Sequence, residues 1–295
     1  MSDDWARSFS GVVAAAVTPM TPSREVDPDG IHRLTGFLID RGVDALMVCG
    51  TTGEFPALTP HERSSATTAF VEAAAGRAPV IAHVGDLGVD RASRLAYEAA
   101  AAGATAIAAM TPFFLVHSPA AIEEHLRGIA RTVPELPFFA YVYPTAAGQT
   151  LSVDGFAALM EEPNLAGVKL SVERLDDLLP YLGVAPDRCV MSGNDALMLA
   201  FVAAGGRAVV SGNATAVPEV VVGAFRALLA GEDHDLGLLE DAAAVSVGAP
   251  DRLKEILRLR GFDVGPARVR THLPQELAGN ERLARLIEAV GRAGD

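Results

Sequence analysis

The feature of this sequence that most restricts its fold is a short apolar segment followed by a helix-like segment, repeated eight times between residues 11 and 229. Few polar residues interrupt the apolar segments, which is typical of parallel strands buried on both faces. The predicted strands are residues 11–18, 44–49, 80–84, 105–110, 138–142, 166–170, 189–192 and 208–211. The predicted helices are 31–41, one beginning after Thr59, 90–102, 119–131, 153–160, 172–179, 195–204 and 218–229.

Eight such units in series predict an α/β fold, a (β/α)8 TIM barrel, with a doubly wound sheet plus an extra domain as the alternative. The alternation stops after residue 230, where helices are predicted over 236–247, 251–259 and 275–292. We therefore expect residues 1–230 to form a barrel that carries the active site. Residues 231–295 are expected to form a helical extension packed on that barrel.

Charge and cysteine content restrict the partners and the compartment. A formal net charge of −13 argues against a nucleic acid or an anionic membrane surface as a partner. The two cysteines, Cys49 and Cys189, are far apart in sequence and fit a reducing compartment better than a disulfide framework. The first residues resemble no secretory signal, and no apolar run is long enough to span a bilayer. The expectation is a cytoplasmic protein.

The chain contains only two lysines, Lys169 and Lys254. Lys169 lies at the end of the predicted apolar strand 166–170, where an ammonium group is costly. Desolvation favours the neutral amine, which is the form that attacks a carbonyl group to make a Schiff base. The alternative is a lysine whose ammonium group extends from the strand end into solvent. Lys254 lies in a charged amphipathic helix and is predicted to be exposed.

Other strand ends also carry reactive groups, and catalytic groups of a barrel come from the carboxyl ends of its strands. Thr51 and Thr52 stand between two glycines, in a turn whose backbone N–H groups can approach a carboxylate. Tyr141 precedes the end of its strand, where a phenol can carry protons. An ordinary strand-to-helix turn and a structural tyrosine remain the alternatives at these two places.

These residues together resemble the N-acetylneuraminate lyase and dihydrodipicolinate synthase superfamily, the class I pyruvate-dependent aldolases and synthases. The resemblance covers roughly residues 10–230. Its motifs are Ala-Val-Thr-Pro at 16–19, Gly-Thr-Thr-Gly-Glu at 50–54, Tyr-x-x-Pro at 141–144, Gly-Val-Lys at 167–169 and Ser-Gly-Asn-Asp at 192–195.

The resemblance implies a role for each matching residue. Lys169 would form an imine with the keto carbon of pyruvate or a related 2-keto acid. Tyr141 would carry protons, and Thr51 would support that relay. The resemblance implies that the substrate-binding groups are Thr52, Gly193 and the backbone carbonyl of Val210. It implies no metal ion and no cofactor, and it implies a homo-oligomer, a dimer or tetramer, in which Phe113 and Phe114 suit a subunit contact.

Three positions depart from the pattern of dihydrodipicolinate synthases. An arginine usually follows their Tyr-x-x-Pro turn, whereas residues 144–148 here contain no cation. Their Pro-Tyr-Tyr segment after strand four is Pro-Phe-Phe at 112–114, and the asparagine after the catalytic tyrosine is Val142. Alanine cannot pair with a carboxylate, and phenylalanine cannot transfer a proton. The changes affect recognition of the second substrate, whose surrounding wall we expect to include Phe114, Val142, Ala146 and His117.

The sequence therefore predicts a Schiff-base aldolase, lyase or synthase that acts on pyruvate or a related 2-keto acid and an aldehyde partner. A keto-deoxy sugar-acid dehydratase and a 4-hydroxy-tetrahydrodipicolinate synthase use the same imine and remain alternatives. A catalytically silent keto-acid-binding protein is the alternative from another class. A metal-dependent aldolase is disfavoured because the histidines show no close ligand spacing. The segments Gly205-Gly206 and Ser211-Gly212 near the last two strands leave a phosphate-binding barrel as a weaker possibility.

Overall fold

Eight parallel strands close into a barrel in chain order in the computed structural model, which describes residues 5–232, 234–272, 277 and 279–291. The predicted (β/α)8 fold is confirmed. The strands are β1 Gly11–Ala15, β2 Ala45–Val48, β3 Val80–His83, β4 Ala106–Met110, β5 Phe138–Val142, β6 Leu165–Leu170, β7 Cys189–Ser192 and β8 Ala208–Ser211. Every residue of these strands is buried, as expected for strands that face the barrel interior on one side and helices on the other.

Helices follow the strands and continue after the last one. They are α1 Pro28–Asp40, α2 Pro60–Ala74, α3 Val89–Ala101, α4 Pro119–Thr132, α5 Pro144–Ala147, α6 Val153–Leu159, α7 Leu179–Val184, α8 Met198–Ala203, α9 Asn213–Ala216, α10 Pro218–Ala230, α11 Gly237–Ser246, α12 Pro250–Leu259 and α13 Glu281–Val290. Three short 3₁₀ turns accompany them, at Phe55–Ala57, Leu175–Asp177 and Asp195–Leu197. None of the helices formed by the described residues is both long enough and apolar enough to cross a membrane.

Local sequence signals set several helix starts. Thr59 caps α2, since its hydroxyl accepts from the Glu62 N–H at 3.2 Å while the Glu62 carboxylate accepts from the Thr59 N–H at 2.8 Å. This reciprocal capping box was predicted from the spacing of the two residues. Ser118 and Ser152 cap α4 and α6 through their hydroxyl groups alone, which accept from the N–H groups of Ala121 and Gly155.

Two helix predictions after β6 and β7 were wrong in their bounds. The predicted helix 172–179 is instead an extended segment and a 3₁₀ turn, and α7 starts only at Leu179. Pro180 fits this start, because proline is favoured in the first turn of a helix, where its missing N–H needs no partner. The predicted helix 195–204 begins as a 3₁₀ turn and becomes α8 at Met198. Of the predicted helix 275–292, residues 275, 276, 278 and 292 lie outside the described residues.

Contacts within the chain form two compact units, one of Met1–Gly11 and Ile81–Val210 and the other of Val12–Val80 and Ser211–Asp295. In the first unit, β4, β5, β6 and β7 pair side by side in parallel. In the second unit, α12 packs on α9 and α11, and α11 packs on α13. The predicted division at residue 230 stays a prediction.

A glycine brings β6 and β7 close together beside the predicted reactive lysine. A Cβ atom added to Gly167 would lie 1.8 Å from the carbonyl oxygen of Cys189, a distance that no side chain tolerates. Gly167 pairs with Cys189, and two residues later Lys169 pairs with Met191. The Gly-Val-Lys sequence therefore fixes both the close strand approach and the position of Lys169.

Candidate active site

Lys169 and Tyr141 lie side by side at the carboxyl ends of β6 and β5. They are register partners in the parallel pairing of these strands. The Lys169 Nζ atom lies 4.1 Å from the centroid of the Tyr141 ring, and both residues are buried. A cation or amine over an aromatic face is attracted by the ring quadrupole, so Tyr141 orients the amine. The structure brings the two predicted catalytic residues of this unit into direct contact.

Gly193 keeps space open beside the lysine. It follows β7, and its N–H donates to the Leu170 carbonyl at 2.7 Å. An added Cβ atom would lie 3.1 Å from Lys169 Cε and 2.3 Å from Ser171 Oγ. A side chain at position 193 would therefore press against the lysine and its neighbour. The structure thus places Gly193, a predicted site residue, against Lys169. Val210, another predicted site residue, is buried on β8 and follows Val209, the residue that pairs with Ser192.

Two further rings surround Tyr141, and the sequence predicted neither as a site residue. Tyr143 stacks on it with centroids 6.2 Å apart and 22° between the ring planes. Burial raises the pKa of Tyr143, so its phenol stays protonated. His83 meets Tyr141 edge-on at 5.9 Å, and its Nε2 accepts from the Met110 N–H at 3.3 Å. Its position near the end of the predicted strand 80–84 is the sequence signal that could have identified His83 as a site residue.

Hydrogen bonds of the uncharged Gln149 side chain hold the segment that follows β4. The Gln149 side-chain amide donates to the Pro112 carbonyl, and its oxygen accepts from the His117 N–H at 2.8 Å. Phe114 has a positive φ of 72° and is 86% exposed. Of the other residues predicted for the second-substrate wall, Val142 is buried in β5 and Ala146 is exposed on α5.

In the second unit, the predicted Gly-Thr-Thr-Gly-Glu loop follows β2. The Thr18 hydroxyl donates to the Gly53 carbonyl at 2.7 Å, and the Glu54 N–H donates to the Thr51 carbonyl at 3.0 Å. A Cβ atom on Gly212, just beyond β8, would lie 3.6 Å from Thr52 Oγ1. The loop is thus a tight turn in which Thr51 and Thr52 are half-buried.

Lys254 was predicted to be exposed, and this prediction was wrong. The Lys254 side chain is buried, and its Nζ lies 2.8 Å from Oε1 of Glu54, the last residue of the loop motif. The second Glu54 oxygen accepts from the Val269 N–H at 2.7 Å, and Lys254 Nζ donates to the Pro266 carbonyl at 3.2 Å. Burial lowers the pKa of Lys254, and the Glu54 carboxylate opposes that shift. The ion pair therefore anchors the end of the threonine loop.

The part of the chain that the structure describes offers no evident set of metal ligands. No group of three or more His, Cys, Asp or Glu side chains there is placed to hold a metal ion.

Comparison with protein families gives one match over most of the chain. A model described as the dihydrodipicolinate synthetase family matches residues 8–290. The 4-hydroxy-tetrahydrodipicolinate synthase of Cyanothece sp. is 34% identical over 158 residues, which cover 54% of this chain and 54% of the relative. The N-acetylneuraminate lyase of Salmonella paratyphi B is 32% identical over 161 residues, covering 55% and 54%. The chain spans about half the length of the curated relatives it matches.

Solved structures match nearly the full chain. A crystal structure of dihydrodipicolinate synthase shares 29% identity at a TM-score of 0.87, covering 95% of this chain and 99% of the other. The dihydrodipicolinate synthase of Aquifex aeolicus also shares 29% identity, at a TM-score of 0.83 and coverages of 95% and 97%. A Clostridium difficile protein solved with mannosamine, 21% identical at a TM-score of 0.86 and covering 96% and 99%, shares the fold.

Proposed function

We propose, since this chain belongs to the dihydrodipicolinate synthetase family, that it is a lysine Schiff-base lyase or synthase. Its substrates would be pyruvate or a related 2-keto acid and an aldehyde partner. The observation that carries the proposal is the buried Lys169 amine held 4.1 Å over the Tyr141 ring at the carboxyl ends of adjacent strands. One relative is named a synthase and another a lyase. These names support a shared imine step on the keto acid, with the second substrate differing between the proteins.

The proposed reaction begins when the neutral Lys169 amine attacks the keto carbon. Tyr141 delivers a proton to the resulting hydroxyl group, water leaves, and an imine forms. The protonated imine accepts electrons, so a proton lost from the adjacent carbon gives an enamine. The enamine carbon then attacks the aldehyde, or in the reverse direction the C–C bond breaks. Each step needs proton transfer beside the imine, where the phenol of Tyr141 lies.

The remaining predicted residues would bind the substrate. Gly193 would leave room for the keto acid beside Lys169, and the backbone carbonyl of Val210 would line the same pocket. Thr52 would bind the carboxylate and Thr51 would support the proton relay. Both threonines belong to the second unit, so these two roles rest on the resemblance of their motif. The proposed reaction uses no cofactor.

The second substrate would differ from that of a dihydrodipicolinate synthase. The exposed Ala146 offers no cation for a second carboxylate, and Phe114 offers no phenol. Cleavage or synthesis with a less acidic aldehyde is thus favoured, and a dehydratase of keto-deoxy sugar acids is the second candidate because it needs the same imine. We further propose a cytoplasmic homo-oligomer, a dimer or tetramer, whose residues beyond 230 pack on the barrel.

Reductive trapping tests the proposal. Pyruvate with borohydride should add a reduced pyruvyl group to Lys169, because hydride reduces the imine carbon and makes the bond permanent. Intact mass and peptide mapping should locate the group on Lys169 and leave Lys254 unmodified, since Lys254 is paired with Glu54. Incubation with a keto-deoxy sugar acid separates the candidates, because a lyase releases pyruvate and a dehydratase keeps the carbon skeleton. Absence of any adduct with either substrate class would refute the Schiff-base proposal.

The Tyr141→Phe variant should still form the imine but turn over roughly 10²–10⁴-fold more slowly. Phenylalanine keeps the ring beneath Lys169 and loses only the proton carrier. Tyr143→Phe removes a comparable phenol from the stacked neighbouring ring and should cost much less. Single-turnover rates on both variants make the comparison. Equal losses in the two variants would contradict a special role for the Tyr141 hydroxyl.

A further inference from the structure

We propose that a cavity at the amino-terminal ends of β7 and β8 binds a small organic anion carrying at least two negative charges. The cavity has a volume of about 550 Å³ and lies within the first unit. Residues preceding β7, residues preceding β8 and residues 7–9 line it. Lys169 lies at the opposite, carboxyl-terminal end of the neighbouring strand β6. The site is therefore separate from the imine chemistry.

The charge of the cavity wall is opposite to that of the whole protein. Arg7, Arg188 and Arg207 line the cavity, and Asp187 is its one acidic lining residue. The formal net charge of the chain is −13. The wall of the cavity thus carries a local excess of positive charge, three arginines against one aspartate. The mutual repulsion of the arginines in a partly enclosed space is relieved when an anion binds.

Arg188 provides a buried donor that an anion in this cavity could use. Its side chain is nine-tenths buried, and one terminal nitrogen pairs with the exposed carboxylate of Asp187. Its Nε is buried and has no hydrogen-bond partner among the described residues. A buried donor of a charged group without an acceptor is costly, and native structures rarely leave one unsatisfied. An anion in the cavity would supply that acceptor.

The other two arginines come from separate segments that are fixed in place. The Arg7 guanidinium donates to the Pro163 carbonyl, which holds the side chain at the cavity. The Arg207 carbonyl accepts from the Gly11 N–H at 2.9 Å, while its side chain is exposed. Gly205 also lines the cavity. Three separate segments of the unit therefore each contribute one arginine to the wall of this cavity.

Volume and chemistry define the ligand class. A cavity of about 550 Å³ is in the range of pockets for small organic molecules and larger than one inorganic ion requires. Arginine binds phosphate and carboxylate groups through paired N–H donors. Phe9 and Leu182 add apolar surface to the wall. The shared chemistry is a short carbon skeleton with two or more anionic oxygen groups, either a phosphate ester or a dicarboxylate.

Calorimetry on the full chain tests the site with glycerol 3-phosphate and succinate as separate probes, at an ionic strength kept constant with sodium chloride. We expect saturable binding of at least one probe, and the probe that binds identifies the anionic group. Arg188→Gln should weaken binding by about tenfold or more, the loss expected for one charged hydrogen bond. Arg94→Gln removes the same charge from an exposed position on α3 of the same unit and should leave the affinity unchanged.

The second variant, Arg207→Gln, keeps the test decisive if Arg188→Gln does not fold, because the Arg207 side chain is exposed. It should also weaken binding, by a smaller factor. No saturable binding of either probe at millimolar concentration would overturn the proposal. Affinities equal to wild type in the cavity variants, or an equal loss in Arg94→Gln, would overturn it too, since either result would mean that the cavity does not hold the anion.

Discussion

Replacing Lys169 by alanine should abolish turnover and borohydride trapping while the barrel stays folded. The amine is the only group in the proposed mechanism that becomes covalently bonded to the substrate, so no neighbouring side chain can replace it. Its removal should cost little stability. Burying the amine over the Tyr141 ring carries a desolvation penalty, and the substitution relieves that penalty. Steady-state turnover, adduct mass and the thermal unfolding midpoint should be measured on one preparation.

Lys169→Met is the matched control for packing. Methionine fills most of the space of the lysine stem and has no amine, so it should be as inactive as alanine and at least as stable. Retention of a pyruvyl adduct in either variant would exclude Lys169 as the imine-forming residue. Retention of turnover without an adduct would point to a mechanism with no covalent intermediate.

Replacing Lys254 by methionine should destabilise the fold by about 3–5 kcal/mol, the range measured when one partner of a buried ion pair is removed. The Glu54 side chain is fully buried, and Lys254 Nζ lies 2.8 Å from its carboxylate. Without the ammonium group, that carboxylate would remain charged in a low-dielectric environment, or would bind a proton at a cost. Urea unfolding at neutral pH measures the change.

Two companion variants separate the ion pair from general packing. Arg258→Met lies on the same helix, α12, and breaks the pair of an exposed arginine with Glu255, so it should cost no more than about 1 kcal/mol. Adding Glu54→Gln to Lys254→Met removes the unpaired charge while a carbonyl oxygen remains for the Val269 N–H, so the double variant should recover part of the loss. A Lys254→Met variant as stable as Arg258→Met would show that the pair contributes nothing.

Much of the fold follows from local sequence. The bounds predicted for β5, β7 and β8 agree with the structure because short apolar runs bounded by turn residues determine buried strands locally. The contact of Lys169 with Tyr141 follows from strand order, since consecutive parallel strands place their carboxyl ends side by side. The region after β6 was predicted less well, because helical periodicity did not show that Pro180 sets the helix start.

Long-range contacts explain what the sequence did not reveal. Helical spacing identifies the polar face of α12 but does not show that Lys254 meets Glu54, which is 200 residues earlier in the chain. The sequence did not identify His83 as a site residue, although its ring lies against Tyr141. The gathering of Arg7, Arg188 and Arg207 likewise depends on tertiary structure. Side chains that meet only through folding leave no periodic signal.

The burial of both lysines has a consequence for the surface of the protein. Lys169 is 6% exposed and Lys254 is 3% exposed, and the sequence has no other lysine. Apart from histidines, the exposed basic side chains are therefore all arginines. Aldehydes, ketoses and acyl donors react readily with exposed primary amines and only slowly with guanidinium groups. The folded surface therefore presents no lysine side chain for glycation or acylation by such compounds. The reactive amine of the protein is confined to the place where a carbonyl compound is expected to be bound.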